Sequence, residues 1–205
     1  KKMIACLDLE GVLLPEIWIK FAEKTGVEEL KLTTRDIPDY DVLMNKRLSI
    51  LNENNFKLKD IKKVISTLNP LEGAIEFHEW LRSEFEVIIL SDTFYQFVSP
   101  LMKKLDYPTL FCHQLIIDDT DSITGYKLRQ ANGKQEAVKA LQKLNFKVVA
   151  AGDSYNDIGM LKQADEGILF DPPKNVINEY PEFSVSNNYD DFKNKLLRCK
   201  AKFER

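Results

Sequence analysis

Short apolar runs that break off at an acid, a hydroxyl or a glycine, with helical patterns between them, constrain this chain more than any other feature. Met3-Ile4-Ala5-Cys6-Leu7 stops at Asp8, Glu86-Val87-Ile88-Ile89-Leu90 at Ser91, and Val148-Val149-Ala150-Ala151 at Gly152. Gly167 to Phe170 is a fourth run of this kind. Runs of four or five apolar residues without alternation are what strands covered on both faces require. Helical spacing fills the gaps, over residues 73–82, 94–105, 134–144 and 158–164. Alternating strands and helices build right-handed crossover units. The expected fold class is therefore α/β, a Rossmann-like parallel sheet with helices on both faces. Residues 109–117 and 124–128 can pair as a hairpin across Asp118-Asp119-Thr120-Asp121. A short strand near Ser184 and a terminal helix complete the pattern.

The rhythm differs between the first two strands. Pro15 opens a helical pattern that Gly26 can end, and two more follow at residues 40–52 and 58–68. No strand-like run appears between residues 10 and 85. The expectation is a small helical cap inserted after the first strand: residues 1–12 and 70–205 form the core domain, residues 13–69 the cap. A length of 205 residues suits that plan and is too short for two large domains.

Composition removes several function classes. Net charge is −3 and the basic residues are scattered, so no stripe for nucleic acid exists. The basic tail (Lys193, Lys195, Arg198, Lys200, Lys202, Arg205) reads as the solvated face of a helix. Cys6, Cys112 and Cys199 are too far apart for a disulfide framework or a zinc site. His78 and His113 have no partner at metal-ligand spacing and read as structural. The opening Lys1-Lys2-Met3-Ile4-Ala5-Cys6-Leu7 is apolar for only five residues before Asp8, too few for a secretory signal. No stretch approaches the ~18 apolar residues of a membrane span, so a cytoplasmic protein is expected, as a monomer or homodimer.

Ligands of open α/β sheets sit beyond the carboxyl ends of the strands. Here those ends read Asp8-Leu9-Glu10-Gly11, Ser91-Asp92-Thr93 and Gly152-Asp153-Ser154-Tyr155-Asn156-Asp157. Gathering Asp8, Glu10, Asp153 and Asp157 is costly unless a cation neutralises them. Mg²⁺ does so with oxygen ligands and keeps positions open for phosphate. Asp8 and Ser91 as helix caps, and Asp153 and Asp157 as turn and cap residues, are the alternatives; agreement at three strand ends favours the shared site. Lys134 falls in the first turn of its helix, where the dipole disfavours a cation, and this points to an anion nearby.

These residues resemble a known family. Asp8-x-Glu10-Gly11, a strand-end Ser91, Lys134 and Gly152-Asp153-x-x-x-Asp157 are similar to the four motifs of the haloacid dehalogenase-like phosphatases. The helical insertion resembles the cap of their phosphoserine phosphatase branch. Residues 6–18, 34–41 and 90–95 resemble more narrowly the bifunctional phosphoserine phosphatase/homoserine phosphotransferase group. The resemblance implies that the Asp8 carboxylate attacks phosphorus to give an aspartyl-phosphate. It implies Mg²⁺ held by Asp8, the Glu10 backbone carbonyl and Asp153, with Asp157 in support. Ser91 and Lys134 would bind the phosphoryl oxygens, with Asp92 beside them. Glu10 would protonate the leaving alkoxide and then deprotonate water or an alcohol.

Most members of the superfamily carry Asp two positions after the nucleophile. Glu10 departs from that and is shared by the phosphotransferase group, leaving the acceptor open between water and homoserine. By the same resemblance Glu16 meets an amino group and Arg47 a carboxylate, with Met44 and Asn156 also substrate-binding. The expected activity is hydrolysis of O-phospho-L-serine, with L-homoserine as alternative acceptor. Two rivals are a phosphatase of another small metabolite and a non-catalytic phospho-acceptor module. The latter lacks both the helical insertion and the acid at position 10.

Overall fold

The computed structural model describes residues 3–204. Lys1 and Lys2 of the opening run and Arg205 of the basic tail lie outside the described residues. At the centre of the sheet, β1 (Ile4–Leu7) pairs in parallel with β2 (Glu86–Phe94) and with β5 (Val148–Gly152). Beyond β2 lie β3 (Leu110–Ile117) and the antiparallel β4 (Ile123–Lys127). Beyond β5 lie β6 (Glu166–Phe170) and β7 (Ser184–Ser186), giving the order β4-β3-β2-β1-β5-β6-β7.

The period of two along a strand sorts the apolar runs onto two faces. Ala5, Leu7, Val149 and Ala151 join the larger core, whereas Ile4, Cys6, Val148 and Ala150 join the smaller. Burial on both faces is why β1 and β5 show no polar alternation. Helices α4 (Ala74–Glu84), α5 (Tyr95–Met102) and α9 (Tyr189–Phe203) contribute to the larger core. Helices α6 (Gly133–Lys143) and α7 (Ile158–Gln163) pack on the other face.

Among the described residues only helices lie between β1 and β2. Helix α1 (Ile17–Thr25) ends at Gly26, whose φ of 72° suits a residue without Cβ. Helix α2 (Tyr40–Glu53) begins at Asp39, whose side chain accepts from the Val42 N–H at 3.0 Å. The first turn of α3 (Leu58–Ile65) is closed from far along the chain. Leu58 N–H donates to the Asp121 carbonyl and Lys59 N–H to Asp121 Oδ2, both at 2.9 Å. The β3–β4 hairpin therefore grips these helices, and Tyr126 of β4 adds a hydrogen bond from its hydroxyl to Asp41.

Some elements differ from expectation. β2 continues through Ser91 to Phe94, with its register against β3 shifting between Leu90 and Phe94. Helix α3 stops at Ile65, short of Leu68. Helix α8 (Lys174–Glu179) was not signalled by the sequence, because its six residues are too few to show a period. No helix among the described residues is long and apolar enough to cross a membrane.

Candidate active site

The first residue after β1 is Asp8, whose N–H donates to Ala151 of β5 at 2.9 Å, so the sheet itself fixes the carboxylate. Its Oδ1 accepts from the Leu9 N–H at 2.8 Å. After β5 the chain passes Asp153 and turns back, so that Asp157 Oδ2 accepts from the N–H groups of Asp153 (2.9 Å) and Ser154 (3.2 Å). One carboxylate oxygen from each of Asp8, Asp153 and Asp157 lies within 4.8 Å of the others. Two glycines permit this. A Cβ on Gly11, itself at φ +85°, would overlap the Asp153 carboxylate, and one on Gly152 would overlap that of Asp157.

Among the described residues, Lys134 is the cation that stands between the acids. Lys134 Nζ lies 2.8 Å from Asp157 Oδ1, 3.2 Å from Asp8 Oδ1 and 3.5 Å from Asp92 Oδ2, and only 6% of the residue is exposed. Burial alone would lower the lysine pKa, but Asp157, Asp8 and Asp92 hold it well above its ordinary value. One ammonium is not enough for these carboxylates. Burial and then repulsion by Asp157 push the Asp8 carboxyl well above the usual range despite Lys134. The same two causes, in the same order, raise Asp153 to about 7. The uncompensated charge and the all-oxygen donor set fit a hard divalent cation, and Asp8, Asp153 and Asp157 are the residues that can hold it.

Above this rim opens a cleft of about 800 Å³ whose walls include Glu10, Glu16, Arg47, Asp92, Lys134 and Asp153. Glu10 Oε1 accepts from the Ile17 N–H at 2.8 Å, which ties the acid to the start of α1. Burial, then the charge of Glu16, raise the Glu10 carboxyl to about 8. A carboxyl of that kind holds its proton at neutral pH and can donate it. Glu16 itself is exposed at the head of α1. Arg47 is buried: Nη2 donates to the Leu32 carbonyl at 2.9 Å, and the guanidinium carbon sits 4.7 Å from the Trp18 ring centroid. Its Nε has no hydrogen-bond partner.

The other expected positions are spread around this cleft. Ser91 and Lys134 line a side cavity of about 400 Å³, and Ser91 Oγ accepts from the Thr93 N–H at 3.2 Å. Met44 is wholly buried and lies behind Arg47, with its sulfur 3.8 Å from Nη1, rather than lining the cleft. Asn156 lines the cleft, and its Nδ2 donates to Asp92 Oδ2 at 3.1 Å. His113, expected to be structural, lines both cavities, and its Nε2 lies 3.4 Å from Asp92 Oδ1. Nothing near residue 113 in the sequence signals this. Only the sheet order, which sets β3 beside β2, brings the two side chains together.

Comparison with known proteins agrees with the fold and the motifs. Residues 4–165 match the family model described as haloacid dehalogenase-like hydrolase. The chain is 59% identical over 199 residues to a protein of Pseudomonas aeruginosa named phosphoserine phosphatase ThrH, covering 97% of each chain. It is 60% identical over 196 residues to a phosphoserine phosphatase of Pseudomonas syringae pv. tomato, covering 96% of this chain and 83% of that one. A crystal structure of phosphoserine phosphatase in apo form superposes with a TM-score of 0.74 at 26% identity, over 91% of this chain and 94% of that chain.

Proposed function

The chain belongs to the haloacid dehalogenase-like hydrolases, and from that premise we propose that it hydrolyses O-phospho-L-serine by way of an aspartyl-phosphate on Asp8. The observation that carries this reading is the buried Asp8 carboxylate within 3.2 Å of Lys134, beneath a cleft walled by Glu16 and Arg47. Two similar proteins that span nearly this whole chain are named phosphoserine phosphatases, which supports the same substrate here. We read residues 13–69 as the cap that recognises it, and the cytoplasm as its location.

In the first half-reaction an Asp8 oxygen bonds to phosphorus as the bond from phosphorus to the serine oxygen breaks. The protonated Glu10 gives its proton to that departing oxygen, releasing serine as the neutral alcohol. Lys134 and the Ser91 hydroxyl bind the equatorial oxygens, where charge accumulates. In the second half-reaction Glu10, now a carboxylate, takes a proton from water while the water oxygen bonds to phosphorus. The bond from phosphorus to Asp8 breaks and phosphate leaves. Asp8, the Glu10 carbonyl, Asp153 and Asp157 would hold Mg²⁺, which would supply neutralising charge for the phosphoryl oxygens. L-homoserine, with its hydroxyl in place of water, is the second acceptor. Arg47 pairs with the amino-acid carboxylate and Glu16 with its ammonium.

Steady-state phosphate release from phosphoserine with Mg²⁺ tests this. Asp8→Asn is expected to lower turnover by ~10⁴-fold or more, and wild-type turnover in that variant would end the covalent reading. Addition of L-homoserine should divert part of the released phosphate into O-phosphohomoserine, seen by ³¹P NMR. Absence of that product would leave water as the sole acceptor.

A further inference from the structure

Of the three acids in ion-pair contact with Lys134, Asp92 is the one that lines the open cleft, and its two oxygens have different partners. Oδ2 accepts from Asn156 Nδ2 at 3.1 Å and lies 3.5 Å from Lys134 Nζ. Oδ1 faces His113 Nε2 at 3.4 Å. The opposite ring nitrogen, Nδ1, accepts from the Arg129 N–H at 2.9 Å. That bond requires Nδ1 to carry no proton, so the hydrogen of the neutral ring sits on Nε2 and points at Asp92. His113 is only 6% exposed and belongs to β3, and Phe94 of β2 is its register partner. The chain of contacts thus runs from a backbone N–H through an imidazole to a carboxylate, and from there to Lys134 and Asn156.

We propose that His113 is a positioning residue for phosphoryl binding: by drawing Asp92 toward β3, it keeps that carboxylate from closing on Lys134. The inference rests on the phosphatase reading given above. The distances carry the argument. Lys134 contacts Asp157 at 2.8 Å but Asp92 at 3.5 Å. A carboxylate with no other anchor would close to the shorter spacing of a charge-assisted bond. It would then occupy the ammonium donor that an entering phosphate needs. Held by His113 and Asn156, Asp92 adds negative charge near Lys134 while leaving the cleft side of the ammonium free.

The test is a three-variant comparison on the Mg²⁺-loaded full chain, using phosphoserine and p-nitrophenyl phosphate in parallel, with inorganic phosphate as competitive inhibitor. His113→Gln places an amide N–H near the position of Nε2 and should stay within about threefold of wild type. His113→Asn, which reaches only the Nδ1 position, and His113→Leu should each raise KM for both esters and Ki for phosphate. The expected rise is about tenfold, the worth of one hydrogen bond to a charged group, with kcat changing less. In an Asp92→Asn background, His113→Leu should add no more than about twofold. Equal losses in all three variants, or a loss in kcat with KM and Ki unchanged, would overturn the proposal. If His113→Leu fails to fold, the Gln and Asn variants, matched by thermal midpoint, decide it. Wild-type cleavage of the aryl ester without phosphoserine would sink the substrate assignment alone, since the His113 comparison is still read on the aryl ester.

Discussion

The floor and the walls of the cleft are held in different ways. On the floor, Asp8 and Asp157 are tied to the backbone and to Lys134: Asp8 to Leu9, Asp157 to Asp153 and Ser154, and both to the ammonium. Asp8, Asp157 and Lys134 are buried, and the spacing of the acids is set by sheet register and by two glycines that admit no Cβ. On the wall, Arg47 is anchored by one carbonyl and the face of Trp18, its Nε is unpartnered, and Glu16 is exposed. The contrast is between a half built for one fixed geometry and a half whose charged groups border the open cleft with few fixed partners. Phosphoryl chemistry demands the first, because alignment and charge must be set before the bond breaks. Recognition of an amino-acid body can use the second.

The largest effect should come from disturbing the floor without changing any charge. Gly152→Ala drives a methyl group into the Asp157 carboxylate. A displacement of about 1 Å costs ~100-fold, so kcat/KM should fall by at least that much for phosphoserine and p-nitrophenyl phosphate alike. A loss confined to one ester would break the comparison. Next in size is Arg47→Ala, which removes the expected partner of the carboxylate. It should lower kcat/KM for phosphoserine by about 30-fold, or ~2 kcal/mol, and leave the aryl phosphate within about threefold. Equal losses would make Arg47 a packing residue.

The smallest effect concerns stability and lies apart from both regions. Burial, with Arg82 adding to it, lowers the pKa of His78 on α4 from 6.5 to about 4. Between those values the unfolded chain binds the proton and the folded chain does not. The contribution to stability is therefore complete above pH ~6.5 and is lost as pH falls toward 4. Its full size is about 3 kcal/mol. Urea unfolding of wild type and His78→Leu at pH 7 and pH 4.5 measures it, and the pH dependence should be shallower in the variant. Identical slopes would remove His78 as a source of acid sensitivity.

Much of the fold was legible because its strands are buried on both faces, so Met3 to Leu7 and Val148 to Ala151 stand out as unbroken apolar runs. The acids were legible for a related reason, as each follows directly where such a run stops. The continuation of β2 was not. Ser91 and Asp92 look like the end of a strand, yet the chain keeps pairing past an irregularity that lets polar side chains face the cleft. His113 was illegible because its significance lies in a partner 21 residues away on the neighbouring strand. Arg47 was singled out through the resemblance, but its burial was not foreseen. An arginine on a helix with a low apolar stripe reads as solvated, and only tertiary packing lays it on Trp18.

The central position of β1 also orders events during synthesis. Ile4 pairs with Glu86 on one side and with Val148 on the other, so both edges of the strand that leads into Asp8 wait for residues made much later. A nascent chain that has reached residue 100 can close one edge of β1 but not the other, and the open edge is a row of unsatisfied amides beside apolar side chains. Contacts of such long sequence separation make folding slow, and they couple completion of the acidic floor to completion of the sheet itself.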